Sequence, residues 1–253
     1  MVQPPARVFE DVPVLCGHRG SGRGVVAGER ENTLGSFRAA VAAGVPWVEV
    51  DVRATADGVL VSSHDANLSD GRAIAATRAA DTDLMRIEDL FDELPPEVGI
   101  NVEIKSTIED ATRARDKTTA ALTAGLLARR AGSRPMLATA FDASAPLIVA
   151  EGAPGTPVGL LAWHSFPLEM AIPAAVRLGM NVVAPHVRSF ALGQMPPEER
   201  ARAVGIAHEA GLQVVAWCPD PDERKPLLAA GVDCLIIDDV PLQFEAAKAD
   251  LYT

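Results

Sequence analysis

The amino-acid sequence predicts an α/β fold, a (β/α)8 barrel with a β-hairpin at its mouth and a short insertion after the hairpin. Nine short apolar stretches alternate with helical patterns, and one of them is the return arm of the hairpin, which leaves eight strands for a barrel. Several helices end in Ala-Gly or Leu-Gly directly before the next strand, at Gly44, Gly179, Gly211 and Gly231. An open doubly wound sheet is the main alternative, because strand spacing does not show closure.

The predicted elements cover the chain without a linker that would divide it. Strands are predicted at Val14–Gly17, from Trp47, and at Val59–Ser62, Gly99–Lys105, Met136–Ala140, Val158–Leu161, Asn181–Ala184, Gln213–Trp217 and Cys234–Ile237. Helices are predicted from Leu34 to Gly44, from Asp83 to Leu94, from about Thr107 to Ala131, after Asp142, near Ile172–Leu178, and at Pro197–Ala210, Pro221–Ala230 and Pro241–Leu251. We expect a single domain, 1–253, in which 66–97 form the short insertion.

Composition limits the classes of function and partner. The chain has 253 residues, 48% of them hydrophobic, and a formal net charge of -11, which argues against nucleic acid or an anionic membrane as a main partner. No run of 18 apolar residues and no apolar leader segment is present in the sequence, so we expect a cytoplasmic protein without stable membrane insertion. The three cysteines lack Cys-x-x-Cys spacing and predict neither a disulfide framework nor a thiolate zinc site.

The segment 47–65 predicts two carboxylates on one face of a strand. With a period of two residues, Glu49 and Asp51 point to one side and the intervening valines to the other. The pair Asp57-Gly58 favours a tight reversal, and the second strand follows too soon for a parallel crossover. The two strands are therefore expected to pair as an antiparallel hairpin.

The expected register of this hairpin brings a histidine to the carboxylates. It places Asp51 opposite Ser62 and Glu49 opposite His64, within cross-strand contact. Two acids and an imidazole at one spot indicate a divalent metal beside a proton carrier. Arg53, on the same face, is expected to form a salt bridge with one of the acids.

Further polar residues follow the ends of other predicted strands, and in a barrel such residues meet around one mouth. They are His18, Arg19, Glu103, Lys105, His186 and Trp217. Carboxylates from two neighbouring strands, Glu49 and Asp51 from one and Glu103 from the next, suit Mg²⁺ or Ca²⁺ better than zinc. Taken alone, a Glu-x-Asp pair on a strand usually lies on a face that is solvated or forms salt bridges. The glycine-rich loop 20–28 taken alone indicates only flexibility.

Short motifs in this order resemble those of the glycerophosphodiester phosphodiesterase family. In the first half they are His18-Arg19-Gly20, Glu31-Asn32-Thr33, Glu49-Val50-Asp51-Val52, Asp57-Gly58, His64-Asp65 and Glu103-Ile104-Lys105. In the second half they are Ala140-Phe141-Asp142, Ala184-Pro185-His186, Val215-Ala216-Trp217, Gly231-Val232-Asp233 and Ile237-Asp238. The resemblance covers nearly the whole chain.

The resemblance implies a metal-dependent hydrolase that cleaves glycerophosphodiesters to sn-glycerol 3-phosphate and an alcohol. It implies that a divalent metal, Mg²⁺ or Ca²⁺, is held by Glu49, Asp51 and Glu103. It implies an acid-base pair of His18 and His64, in which the choice of acid and base stays open. Substrate-binding residues would be Arg19, Lys105, His186 and Trp217, supported by Glu31 and Asn32.

The chain departs from the family pattern at three places. The loop before Glu31 is longer than usual, the segment 65–101 is short, and Cys218-Pro219-Asp220 replaces a Thr-Val-Asn type sequence. These departures leave the alcohol group of the small-molecule substrate open, and the oligomeric state is open too. A lysophospholipase D-type phosphodiesterase and a non-catalytic phosphate- or polyol-binding barrel remain as alternatives.

Overall fold

Eight parallel strands close into a barrel in a computed structural model that describes residues 7–251. The predicted domain, 1–253, also includes 1–6 and 252–253, which lie outside the described residues. The barrel strands are β1 (Val14–Gly17), β2 (Trp47–Ala54), β3 (Gly99–Ile104), β4 (Met136–Ala140), β5 (Val158–Ala162), β6 (Val182–Pro185), β7 (Gln213–Trp217) and β8 (Cys234–Ile237). Strand β1 pairs in parallel with both β8 and β2, which confirms the predicted barrel and excludes the open sheet.

Helices surround the barrel. They are α1 (Leu34–Ala42), α2 (Ile87–Glu93), α3 (Thr119–Arg129), α4 (Ser144–Gly152), α5 (Leu168–Arg177), α6 (Pro197–Glu209), α7 (Arg224–Ala229) and α8 (Val240–Asp250). Helix α1 begins where the sequence predicts, because the Thr33 hydroxyl accepts a hydrogen bond from the Ser36 N–H at 3.3 Å. Among residues 7–251, we find no helix that combines the length and the apolar character needed to span a membrane.

Three helices are shorter than predicted, for local reasons. Helix α7, expected from Pro221, begins at Arg224, because Pro221–Glu223 form a 3₁₀ turn with a capping box between Asp220 and Glu223. The helix expected from about Thr107 begins only at Thr119, because Thr118 caps it and the preceding residues form two short 3₁₀ turns. The helix expected from Asp83 begins at Ile87. The residues before it are extended, and the Met85 carbonyl accepts a hydrogen bond from the N–H of Ser62 at 2.8 Å.

The hairpin forms, but its register differs by one residue from the prediction. The return strand, Leu60–Ser62, runs antiparallel to β2 with Val52 opposite Ser62. The expected pairings of Ser62 with Asp51 and of His64 with Glu49 are therefore both wrong. The turn is a three-residue loop, 56–58, closed by a hydrogen bond from the Thr55 N–H to the Val59 carbonyl at 3.0 Å. Gly58 takes the left-handed conformation that such a loop requires, and the odd loop length shifts every cross-strand partner by one.

Side chains divide between the two surfaces of the barrel wall. Val48, Val50 and Val52 face the surrounding helices and lie in the main hydrophobic core. The alternate side chains point inward, where Trp47 and its neighbours fill the lower interior and the acids lie above it. The predicted alternation is thus confirmed, and it places Glu49 and Asp51 inside the barrel.

The N-terminal segment closes the lower end of the barrel through a buried side-chain amide. The Gln213 carbonyl oxygen accepts hydrogen bonds from the N–H groups of Val8, at 2.7 Å, and Phe9, at 3.0 Å. The amide nitrogen donates to the Phe9 carbonyl at 2.9 Å. The Phe9 ring packs edge-on against Trp47 with centroids 5.0 Å apart.

We predict that Gln213→Leu lowers the free energy of unfolding by about 2–4 kcal/mol, because it leaves three buried backbone groups without partners. Urea unfolding measures the change. Gln194→Leu is the matched control, since Gln194 is exposed and should change stability by less than about 0.5 kcal/mol. Equal stability of the two variants would contradict the closing role of Gln213.

Candidate active site

Three carboxylates lie together at the carboxyl end of the barrel strands. Glu49 and Asp51 come from β2 and Glu103 from β3, and the parallel register places Asp51 opposite Glu103. Each carboxylate has an oxygen within 4.8 Å of the other two, and all three residues are buried. The structure therefore brings together the three acids that the sequence singled out.

Two cations and one amide surround Asp51. Arg19 Nε lies 3.2 Å from one Asp51 oxygen, and Lys105 Nζ lies 2.9 Å from the other and also contacts Glu103. Burial alone would raise the pKa of Asp51, but the charges of Lys105 and Arg19 and the hydrogen bond from Asn32 lower this pKa to about 2. Asp51 is therefore ionised at neutral pH.

Glu49 has the opposite electrostatic environment. Burial and the charge of Asp51 raise the pKa of Glu49 to about 8. Its Oε2 atom accepts a hydrogen bond from the Arg19 backbone N–H at 2.9 Å, whereas the buried Oε1 atom has no hydrogen-bond partner. A buried oxygen without a partner beside two further carboxylates fits the oxygen ligand set of a hard divalent cation.

Asn32, which follows the glycine-rich loop, attaches this part of the chain to the β2 hairpin. Its side-chain nitrogen donates to Asp51 Oδ2 at 2.8 Å, and its side-chain oxygen accepts from the Ser62 hydroxyl at 2.8 Å. The backbone of Asn32 is left-handed, with φ 58°. The neighbouring Glu31 pairs with Arg19 Nη1 at 2.8 Å. Asn32 thus contacts one of the three carboxylates directly, and Glu31 contacts the arginine beside it.

The glycine-rich loop is more ordered than the sequence indicates. Val25–Val26 and Glu29–Arg30 pair as a small antiparallel hairpin, with Ala27 and Gly28 both at positive φ. Arg23, which precedes this hairpin, binds Asp238 through its backbone N–H at 2.9 Å and its Nε at 2.7 Å. The loop is therefore attached to the end of β8.

His18 is buried at the end of β1 and held by an acid from the other end of the chain. Its Nδ1 atom lies 2.9 Å from Asp238 Oδ1, and its Nε2 atom lies 3.9 Å from Glu49 Oε2. Burial would lower the pKa of His18, but the hydrogen bond with Asp238 raises it well above the usual value. Asp238 was not among the predicted site residues, although its position directly after the last barrel strand is a signal that the sequence contains.

His64 lies at the mouth, beyond the paired part of the hairpin. Its side chain is 43% exposed and its Nδ1 atom contacts Asp65 at 2.9 Å. The His64 carbonyl accepts hydrogen bonds from Arg53 Nε and Nη2, at 3.2 and 2.6 Å. The expected salt bridge of Arg53 with Glu49 or Asp51 does not form, because the guanidinium is used to hold this backbone carbonyl.

A cavity of about 560 Å³ opens at this end of the barrel. Its lining includes His18, Arg19, Glu49, His64, Glu103, Lys105 and Trp217. A larger cavity of about 870 Å³ lies at the opposite end of the barrel beside Trp47, and none of the predicted site residues lines it. The polar chemistry therefore belongs to the smaller cavity.

Trp217 and His186 are packed against each other at this mouth. The Trp217 Nε1–H donates to the Ala184 carbonyl at 3.1 Å, and its ring lies 4.2 Å from that of His186. His186 Nδ1 accepts from the Arg188 N–H at 3.0 Å. Burial and the nearby His164 lower the pKa of His186 to about 4, so this imidazole is neutral near pH 7.

Sequence comparisons agree with the geometry of the site. The Glycerophosphoryl diester phosphodiesterase family matches residues 18–84 and 71–242. The chain is 31% identical over 230 residues to the Mycobacterium tuberculosis (strain ATCC 25618 / H37Rv) protein named Probable glycerophosphodiester phosphodiesterase 2, covering 83% of each chain.

The fold is similar to solved structures of the same family. A glycerophosphodiester phosphodiesterase from Thermotoga maritima has a TM-score of 0.73 and 21% identity over 94% of this chain and 99% of that chain. An Oleispira antarctica phosphodiesterase in complex with the product sn-glycerol-3-phosphate has a TM-score of 0.78 and 21% identity over 96% of this chain and 100% of that chain. These similarities support the barrel fold.

We predict that the metal-free protein loses stability as pH rises from about 4.5 to about 8, in part through Glu49. The raised pKa means that the folded state binds this proton more tightly, so the stabilisation is complete below the unfolded pKa and is lost as pH rises through the folded one. Glu49→Gln should remove up to about 1.4 kcal/mol per pH unit from the slope. Urea unfolding in a chelator measures the slope, and parallel curves for both proteins would contradict the prediction.

We predict that Asn32→Asp destabilises the protein at neutral pH more than Asn32→Gly does. Glycine keeps the left-handed backbone and removes the amide bonds, which should cost about 1–3 kcal/mol. Aspartate adds a carboxylate against ionised Asp51. Thermal or urea unfolding compares the two variants, and an Asn32→Asp protein as stable as the wild type would show that the amide is not required.

Proposed function

Because the chain belongs to the glycerophosphoryl diester phosphodiesterase family and is a phosphoric diester hydrolase, we propose that it cleaves glycerophosphodiesters to sn-glycerol 3-phosphate and an alcohol. The observation that carries the proposal is a cluster of three buried carboxylates, two of which, Glu49 and Glu103, line one cavity together with the buried His18. The complex of the Oleispira antarctica phosphodiesterase with sn-glycerol-3-phosphate supports the product. A non-catalytic binding barrel is set aside, since the chain is an enzyme.

We infer that Glu49, Asp51 and Glu103 hold a divalent cation, Mg²⁺ or Ca²⁺. The donors are all carboxylate oxygens, and the partnerless Oε1 of Glu49 is a free ligand atom inside the cluster. When bound, such a cation neutralises phosphate oxygens and the charge that develops on them during hydrolysis. Lys105 and Arg19, which contact Asp51, lie where a phosphate group would meet positive charge.

His18 is assigned as the general base. Asp238 accepts the hydrogen bond of Nδ1–H, and this bond raises the pKa of His18 although burial alone would lower it. In the neutral form of the ring, which is the form that can act as a base, Nε2 carries the lone pair on the side of Glu49. That nitrogen is suited to take a proton from the attacking hydroxyl. Asp238 acts as a positioning residue, because it fixes the tautomer and the orientation of the His18 ring.

His64 is assigned as the general acid. It lines the same cavity as His18, and its exposed position at the mouth suits protonation of an alkoxide that departs toward solvent. Asp65 Oδ1 lies 2.9 Å from His64 Nδ1 and accepts its hydrogen bond, which orients the ring. The bond from Arg53 to the His64 carbonyl keeps this residue at the mouth.

An aromatic wall on the cavity favours a lysophospholipase D-type activity as the second candidate. The rings of Phe141 and Trp163 stack with centroids 4.2 Å apart, and Trp217 meets Phe141 edge-on at 5.7 Å. Trp163 is 65% exposed although it is large and apolar. A lipid chain or an apolar alcohol would cover this surface, whereas a small polar alcohol would leave it in water.

We predict that chelation abolishes hydrolysis of a deacylated glycerophosphodiester and that added Mg²⁺ or Ca²⁺ restores it. Loss of the cation leaves the phosphate without the Lewis acid that offsets its charge during hydrolysis. Release of the alcohol measures the rate. Full activity after exhaustive dialysis against EDTA would contradict the metal assignment.

We predict that His18→Ala and His64→Ala each lower kcat by about 10²-fold or more, since each removes one proton-transfer group. His208→Ala is the matched control, because His208 lies on α6 and pairs with Asp233 outside the cavity. Steady-state kinetics with each metal measures the effect. A variant of the pair that keeps the rate of the control would remove that histidine from the mechanism.

The two candidate activities are separated by Trp163→Ala. If the aromatic wall binds a lipid chain, kcat/KM of this variant should fall at least about tenfold on lysolipids and change little on deacylated diesters. A tenfold loss corresponds to the free energy of one lost aromatic contact. Parallel assays on both substrate classes measure the ratio. An unchanged ratio would reject the lipid assignment.

A further inference from the structure

Three different donor atoms converge on the side of His18 that faces away from Glu49. His18 Nδ1 lies 2.9 Å from Asp238 Oδ1 and 3.6 Å from Cys218 Sγ, and all three atoms lie within 4.8 Å of one another. The residues directly follow β1, β7 and β8, so barrel closure brings them together from positions 18, 218 and 238. We propose that they form a second metal site, which binds Zn²⁺ or a similar borderline-soft cation and switches off His18.

The spacing of the donors matches a tetrahedral zinc centre. With zinc bonds of about 2.3 Å to sulfur and about 2.0–2.1 Å to nitrogen, a tetrahedral angle separates the two donors by about 3.5–3.6 Å. The sulfur and Nδ1 are already 3.6 Å apart. The contact between Nδ1 and Asp238 Oδ1 must open by about 0.4 Å, which a small rotation of this partly exposed carboxylate supplies.

The Asp238 carboxylate and the Cys218 thiol share one ring nitrogen, Nδ1 of His18. Nδ1 of a neutral imidazole carries either a proton or a lone pair, so it cannot donate to Asp238 and also accept from the Cys218 thiol. A cation that replaces the thiol proton and the Nδ1 proton gives all three donor atoms one shared partner. The thiol proton passes to solvent and the single imidazole proton moves from Nδ1 to Nε2, so that the thiolate and the carboxylate offset the two charges of the cation.

The donor set distinguishes this site from the cluster of three acids. Sulfur and imidazole nitrogen favour zinc and related transition metals, whereas Mg²⁺ and Ca²⁺ favour the all-oxygen set of Glu49, Asp51 and Glu103. Arg23 donates to both Asp238 oxygens, from Nε to Oδ2 at 2.7 Å and from its backbone N–H to Oδ1 at 2.9 Å, which orients the carboxylate with Oδ1 toward the cluster. Cys218 and His18 both line the cavity, which gives the cation access and leaves room for a fourth ligand from water.

Cation binding at Nδ1 determines the state of the other ring nitrogen. Nε2 must then carry the remaining proton, and it lies 3.9 Å from Glu49 Oε2. A ring in this state has no lone pair with which to accept a proton, so His18 is blocked as a base. This consequence rests on the proposed function of His18, whereas binding of the cation does not.

Cobalt absorption tests the binding step without using activity. Co²⁺ is added to the protein in the presence of excess Mg²⁺. Ligation of Co²⁺ by a thiolate produces a charge-transfer band in the near ultraviolet, and four-coordinate geometry produces intense visible bands. The band should saturate at one Co²⁺ per chain in the wild type and in Cys16→Ala, whose thiol is buried in the barrel interior. It should be absent in Cys218→Ser. A band of equal strength in Cys218→Ser, or no band in the wild type, overturns the site.

Inhibition by Zn²⁺ tests the consequence. Each protein is assayed in excess Mg²⁺, and its rate with Zn²⁺ is compared with its own rate without Zn²⁺. The Zn²⁺ concentration that halves the rate should be at least about tenfold higher for Cys218→Ser than for the wild type. This is the scale on which the loss of one partner weakens a metal site. Equal inhibition of both proteins overturns the blocking of His18. A wild type that shows the cobalt band but hydrolyses no diester contradicts the proposed function and leaves the second metal site standing.

Discussion

The burial of three carboxylates side by side is the constraint on which the rest of this structure depends. Like charges at such separations and without water strongly disfavour simultaneous ionisation. The chain resolves the conflict unevenly: Lys105 and Arg19 keep Asp51 ionised, whereas the pKa of Glu49 rises to about 8. The cluster is therefore ready to exchange a proton for the charge of a bound cation.

The barrel supplies the geometry that this arrangement needs. Adjacent parallel strands hold Asp51 and Glu103 in register, and closure between β1 and β8 brings His18 against Asp238. Side-chain hydrogen bonds attach the segments at the mouth to this frame. Asn32 attaches the glycine-rich loop to Asp51, and Arg53 attaches the His64 carbonyl to β2. The site thus combines a rigid floor of strand residues with a mouth that is held by hydrogen bonds.

The sequence predicted well what depends on local periodicity and poorly what depends on distant partners. The alternation in β2 was enough to place Glu49 and Asp51 inside the barrel. The hairpin register was missed by one residue, because the sequence of the turn does not show whether its loop has an odd or an even length.

The contacts of His18 could not be read from spacing at all. Asp238 and Cys218 reach it only after the barrel closes, across 220 and 200 positions of the chain. For the same reason the absence of a Cys-x-x-Cys motif gave no sign of a mixed cysteine-histidine-carboxylate cluster. The most direct test of the central claim is anomalous diffraction from crystals grown with Mn²⁺ and sn-glycerol 3-phosphate. We expect a manganese peak bounded by Glu49, Asp51 and Glu103 with the phosphate beside it. A phosphate bound in the cavity without manganese between these carboxylates would contradict the account.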